Sequence, residues 1–298
     1  MIKVRVPATT ANLGPGFDSL GLSLNLYNVV TAEVSENFLI KTTNTSNKVD
    51  TTKNNLIYTT IKYFYSQIGR DMPTIQLTQS DCIPISRGLG SSAACIVAGL
   101  FIGKELSKSK ISNKDILYMA NSIEGHPDNV AAAIFGGITV AVNDNGIHIS
   151  KNTVSKEICF AVFIPSFTLS TTQAREVLPK SYSKEDTIHN ISRTALFVSS
   201  IINMEWDNLK TASVDKIHQP YRAPLVPGMG EIFSLAYKNG AKCAFLSGAG
   251  PSIIAIIMAD DAINFETKMH KELQNLKLWQ IKILKSDNCG VKARVVEA

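Results

Sequence analysis

Residues 84–94 run Pro84, Ile85, Ser86, Arg87, Gly88, Leu89, Gly90, Ser91, Ser92, Ala93, Ala94, and they offer phosphate chemistry. Gly88 and Gly90 lack Cβ atoms and accept φ > 0, so successive N–H groups can turn inward onto an anion. The apolar helical pattern of 93–106 presents a helix N-terminus to the same point. The hydroxyls of Ser91 and Ser92 stand where they either cap that helix or reach a phosphate-bound metal. Taken bare, Gly-x-Gly before a helix is more often a turn followed by a capping serine. The string is not a Walker A loop, having no Lys after the glycines, and not a dinucleotide fingerprint, since G-x-G-x-x-G fails at Ala93.

Four further segments gather polar side chains among glycines and prolines. They are residues 7–18 with Asn12 and Asp18, 124–137 with Glu124, His126, Asp128 and Asn129, 170–175 with Arg175, and 246–252. Singly, each has an ordinary reading. Glu124 suits a carboxylate at a helix end, Asp128 a turn-forming Asx residue, Asn55 a helix cap, and 246–252 a tight glycine turn between strands. His148, His189, His218 and His270 fall in no cluster and read as surface or packing residues.

These groups must be held by a chain of 298 residues, which suggests two domains at about 150 residues each. Apolar residues at 45% and charged residues at 18% mark a globular protein. The net charge of +5 is scattered, with no basic stripe interleaved with aromatics, which argues against nucleic acid and suits anionic small molecules. No apolar run reaches the roughly 18 residues that cross a bilayer, and the N-terminus opens a strand pattern instead of a signal peptide. A cytoplasmic protein without membrane contact is expected. Five widely spaced cysteines with no C-x-x-C read as reduced thiols, and no metal site is expected of them.

Alternation over the first 35 residues predicts strands around the Gly14-Pro15-Gly16 turn, and the polar run 41–55 predicts a surface loop. Helices are expected over 56–68, 93–106 and, after the capping box Ser112-x-x-Asp115, 116–122. A strand is expected over 75–77, and Asp144-Asn145-Gly146 predicts a hairpin between 138–142 and 147–149. The pattern restarts near 155 with a buried strand over 158–164. Helices over 187–203, 206–217 and 230–239, two strands, a helix over 262–276 and two last strands follow, an α+β arrangement.

In order, the five polar segments resemble the GHMP kinases, the small-molecule kinases of galactose, homoserine, mevalonate and phosphomevalonate, over residues 7–252. Asn-Leu-Gly-x-Gly-Phe-Asp at 12–18 and His-x-Asp-Asn-Val-Ala at 126–131 are similar to the versions in the homoserine branch. The resemblance implies a ribosomal-protein S5 domain 2-like N-terminal domain (1–155) carrying the phosphate loop, and a ferredoxin-like C-terminal domain (156–298). It implies ATP-dependent phosphorylation of the L-homoserine hydroxyl on the route to threonine, by a homodimer.

It also assigns residues. Asn55 and all of 84–94 would hold ATP, and Ser92 and Glu124 would hold Mg²⁺, a hard cation that prefers oxygen. Asn12, Asp18, His126, Asn129, Arg175 and Arg222 would bind substrate, with Asp18 and Asn129 at the chemistry. Asp18 suits an ammonium, and the two arginines suit a carboxylate. Asn129 stands where other members place an aspartate, implying that no strong base acts, which a loose transition state tolerates. His126 reads as a positioning donor, and the 246–252 loop as a wall of the phosphate region. Arg87 replaces a small residue common in the family, so it either adds a donor at the phosphates or points to solvent. Ala132 replaces a common proline, and the step from Glu124 to His126 is shorter than in some relatives. A kinase of mevalonate, shikimate or a sugar would have no use for an ammonium partner. A non-catalytic ligand sensor would not need the intact loop.

Overall fold

Strand alternation and one nearly all-apolar helix build the first half. In the computed structural model, which describes residues 1–43 and 49–296, β1 (Ile2–Ala11) and β2 (Leu20–Val34) pair antiparallel. β3 (Leu39–Thr42) follows, so the expected loop over 41–55 begins two residues late, because Ile40 is buried beside the strand Ile75–Asp81, with which β3 pairs. Residues 44–48 of that loop lie outside the described residues. Next come α1 (Leu56–Gln67), β4 (Ile75–Asp81), α2 (Ser91–Ser107), α3 (Asn113–Glu124), α4 (Pro127–Phe135) and the hairpin β5 (Ile138–Asn143) and β6 (Ile147–Asn152). The Ser112–Asp115 capping box is present at α3, as its spacing predicts. α4 was not foreseen. Pro127 at its first turn and the alanines behind it make a helix of what reads as a glycine- and proline-rich segment.

The second half is a four-stranded antiparallel sheet in which the strand Ile158–Pro165 lies between Trp279–Leu284 and Ile253–Met258, with Cys243–Leu246 at the edge beyond the latter. Its strands are β7 (Ile158–Pro165), then, after α5 (Thr171–Glu176), α6 (Lys184–Asn203), α7 (Leu209–Ala212), α8 (Gln219–Arg222) and α9 (Met229–Lys238), β8 (Cys243–Leu246) and β9 (Ile253–Met258). α10 (Ala262–Glu272) leads to β10 (Trp279–Leu284), giving the β-α-β-β-α-β order of a ferredoxin-like unit. The single helix expected over 206–217 is broken. The Asp215 carboxylate accepts from the backbone N–H groups of Ile217, His218 and Gln219, and those bonds replace the helical ladder.

The last strand, β11 (Lys292–Val295), crosses back and pairs antiparallel with β1 in the first sheet. A C-terminal unit of 156–298 therefore does not describe where residues 292–295 pack. One hydrophobic core runs from α2 and the first sheet across to α6 (Phe197, Ile201) and one face of the second sheet (Phe160, Phe245, Ile254), and the other lies between the opposite face of that sheet and α9 and α10. Among the described residues no helix is long and apolar enough to cross a membrane.

Candidate active site

The phosphate loop joins β4 to α2, and its glycines do what their lack of a side chain permits. Gly88 (φ 71°) and Gly90 (φ 68°) are left-handed, and a Cβ on either would strike a neighbour, the Ser247 carbonyl for Gly88 and the Thr9 hydroxyl for Gly90. Ser247 Oγ donates to the Gly88 carbonyl (2.6 Å), which fastens the loop to the 246–252 turn as the sequence suggests. Gly90 is the N-cap of α2 with no side-chain cap, so the helix N-terminus stays open toward the cleft. Ser91 and Ser92 are thus not caps. Ser92 Oγ donates to Glu124 Oε2 (3.0 Å) across the α2–α3 interface.

A cleft of about 420 Å³ runs past this loop. Ile85, Ser86, Arg87, Gly88, Gly90, Ser91 and Ser92 line it; Pro84, Leu89, Ala93 and Ala94 do not. Leu89, Ala93 and Ala94 are buried in the core, because one face of the loop and the first turn of α2 must pack inward. Arg87 is also spent elsewhere. Its guanidinium donates to the carbonyls of Ile85, Pro165 and Ser166 (3.1, 2.9 and 2.7 Å), so it neither reaches out to phosphate nor floats in solvent.

At one side of the cleft Asn55 caps α1, accepting from Ile57 and Tyr58 N–H, while its Nδ2 donates to Gln79 Oε1 and Gln79 donates to Asp81. Asp50, Gln79 and Cys95 also line this side, and none was singled out from the sequence.

At the other side the substrate candidates meet. Asp18 and Arg175 form a bidentate pair (2.7 and 3.0 Å), which raises the Arg175 pKa. Asn12, in the left-handed region at φ 69°, ties the Asp18 N–H to the Gly248 carbonyl. Arg222 is 1% exposed, donating to the carbonyls of Ala174 and Gly248 and to His218 Nδ1. Burial, then the Arg175 charge, pulls its pKa down to about 10, which leaves it a cation at neutral pH. The Phe17 ring lies against both guanidiniums, 5.5 Å from Arg175 and 5.3 Å from Arg222, and stacks on His218. His218 is therefore neither a surface nor a mere packing residue; it is a fully buried partner of Arg222. Phe17 sits beside Asp18 in the sequence, the one signal that marked it.

α4 brings the third group. Asp128 lies in the first turn of α4, where its Oδ1 accepts from the Asn129 N–H (2.6 Å) and contacts His126 Nδ1 (2.6 Å), so in place of an Asx turn, which would bond two residues on, the carboxylate fixes Asn129 directly and steadies His126. Burial alone would lower the His126 pKa, but the Asp128 hydrogen bond and charge outweigh it and the value ends raised. Glu124 moves the same way, up, through burial. Ser92 and Glu124 offer hard oxygen donors side by side at the mouth of the phosphate loop, a donor set that fits Mg²⁺.

Known proteins agree with this architecture. The GHMP kinases N terminal domain matches residues 55–137, and the GHMP kinases C terminal domain matches 198–275. A homoserine kinase of Clostridium beijerinckii is 43% identical, covering 100% of this chain and 99% of its own. One from Caldicellulosiruptor saccharolyticus is 40% identical over 100% and 98%. The crystal structure of homoserine kinase from Cytophaga hutchinsonii superposes with a TM-score of 0.88 at 25% identity, over 98% of this chain and 97% of its own. With two sheets in this order, a glycine cradle at the open end of α2 and end-to-end identity of this degree, the chain belongs to the GHMP kinases, in their homoserine kinase family.

Proposed function

We propose that the protein transfers the γ-phosphoryl group of ATP to the side-chain hydroxyl of L-homoserine, giving O-phospho-L-homoserine. The observation that carries this reading is the group of Asp18, Arg175 and Arg222 facing the phosphate loop across one cleft. The loop N–H groups and the α2 N-terminus bind the triphosphate. The substrate ammonium goes to Asp18 and its carboxylate to the two arginines, so a zwitterion exchanges with the Asp18–Arg175 pair instead of meeting bare charges. Asn12 and His126 hold the shape of that pocket. Ser92 and Glu124 would hold Mg²⁺, which supplies charge neutralisation at the phosphates. Asn129 orients the acceptor hydroxyl and cannot take its proton, which suits a reaction in which the proton leaves late.

The exposed apolar residues Ile188, Ile191 and Ile202 on α6 support a homodimer, and five free cysteines support a reducing compartment such as the cytoplasm. A coupled ADP-release assay with L-homoserine, mevalonate, shikimate and galactose tests the reading. ADP is expected with L-homoserine alone, and Glu124→Gln should raise the half-saturating Mg²⁺ about tenfold or more. Turnover of another alcohol without L-homoserine would overturn the substrate, and an unaltered Mg²⁺ titration would overturn the metal role.

A further inference from the structure

Asp128 decides which way the Asn129 amide faces. Its Oδ1 accepts from Asn129 Nδ2 (3.2 Å) as well as from the backbone N–H. A carboxylate only accepts, so the amide nitrogen must lie on that side and the amide oxygen on the other. On the other side Asn129 Oδ1 accepts from the hydroxyl of Thr9 (2.8 Å). Thr9 is fully buried in β1, and its own N–H donates to the Leu89 carbonyl of the phosphate loop (3.1 Å). A Cβ on Gly90 would lie 3.3 Å from Asn129 Oδ1, so the carbonyl end of the amide is tucked beneath the loop. One Nδ2 proton is used by Asp128; the other is left for the cleft that Asn129 lines.

We propose that Thr9 is a positioning residue for phosphoryl transfer: its hydroxyl locks the Asn129 amide with nitrogen toward the acceptor hydroxyl, in register with the phosphate loop above it. This rests on the reading of the chain as a homoserine kinase with Asn129 at that hydroxyl. Without the Thr9 donor, Oδ1 loses its bond under the loop and the amide is held only by the longer bond from Nδ2 to Asp128 (3.2 Å). The effect falls on the oriented, reacting complex and not on nucleotide capture.

The test is steady-state kinetics with ATP and L-homoserine. Thr9→Val keeps the shape and removes the donor; kcat should fall about ten- to a hundredfold, with KM for ATP within about twofold. Thr9→Ser restores the hydroxyl and should stay within about threefold of the parent. Adding Thr9→Val to Asn129→Ala should cost nothing further, because the bond is already gone. If Thr9→Val fails to fold, the smaller Thr9→Ala replaces it. No turnover by the parent protein would defeat the underlying reading. A parent that reacts while the hydroxyl-free variant keeps its kcat, loses only ATP affinity, or multiplies the Asn129→Ala loss would overturn the role of Thr9, and so would a serine that fails to restore the rate.

Discussion

Arg222 is a charged side chain with almost no exposure, and His218 supplies one of its acceptors beside the carbonyls of Ala174 and Gly248. For Nδ1 to accept from Arg222, His218 must be neutral with its proton on Nε2, which lies 2.7 Å from the Gly14 carbonyl and donates to it. Burial lowers the His218 pKa below its usual 6.5 and so favours that neutral form. As pH falls through 6.5, the unfolded chain takes up a proton at this site before the folded one does. Stability from this group is therefore full above 6.5 and lost on acidification. Tm should fall between pH 7 and 5.5 more steeply in the parent than in His218→Gln, whose amide keeps a donor and an acceptor but cannot titrate. His126, with its raised pKa, works in the opposite sense and is common to both proteins, so it cancels in the comparison. Equal slopes by differential scanning fluorimetry would count against the assignment. The sequence hid His218 because Gly14, its partner, is 204 positions away, whereas Asp18 and Asn129 sat within legible motifs.

Among the elements, those closed by local chemistry read true. The Ser112 box, the 144–146 hairpin and the glycines of the phosphate loop all depend on residues a few positions apart. The stretch 206–217 did not, because Asp215 also receives the Asn190 side chain from α6 (2.7 Å), a tertiary bond that no local pattern announces. Arg87 teaches the same lesson at the phosphate loop. Two of its three carbonyl partners, Pro165 and Ser166, tie the loop to the end of β7, and the third, Ile85, lies in the loop itself, so the guanidinium fixes how the loop meets the second sheet. Arg87→Ala should cost about 1–2 kcal/mol of stability and raise KM for ATP several-fold, with a smaller change in KM for L-homoserine. Urea unfolding and the same coupled assay measure both, and an unchanged KM for ATP would show that the loop holds its shape without the tie.

On the scale of the whole molecule, the chain closes on itself through residues 286–295. Asp287 is the knot: its Oδ1 accepts from the N–H groups of Cys289 and Gly290 (both 2.7 Å), and its Oδ2 from Tyr27 (2.8 Å). Burial, then this bond, pushes the Tyr27 pKa up to about 12. The Asp287 carbonyl accepts from the Gly137 N–H just after α4, and the Val291 N–H donates to the Ala133 carbonyl within it. The final segment therefore fastens the C-terminal end of the helix whose other end carries Asp128 and Asn129. A reading of 156–298 as one unit missed this, since a strand pattern tells that a strand exists and not which sheet it joins. Asp287→Ala strands three donors and should cost about 2–4 kcal/mol. Hydrogen exchange should then quicken over 286–295 and α4 while the β7–β9 pairing stays protected, and kcat should drop before KM for ATP changes. Faster exchange spread evenly over both sheets would mean that the segment stabilises the molecule as a whole and does not anchor α4 in particular.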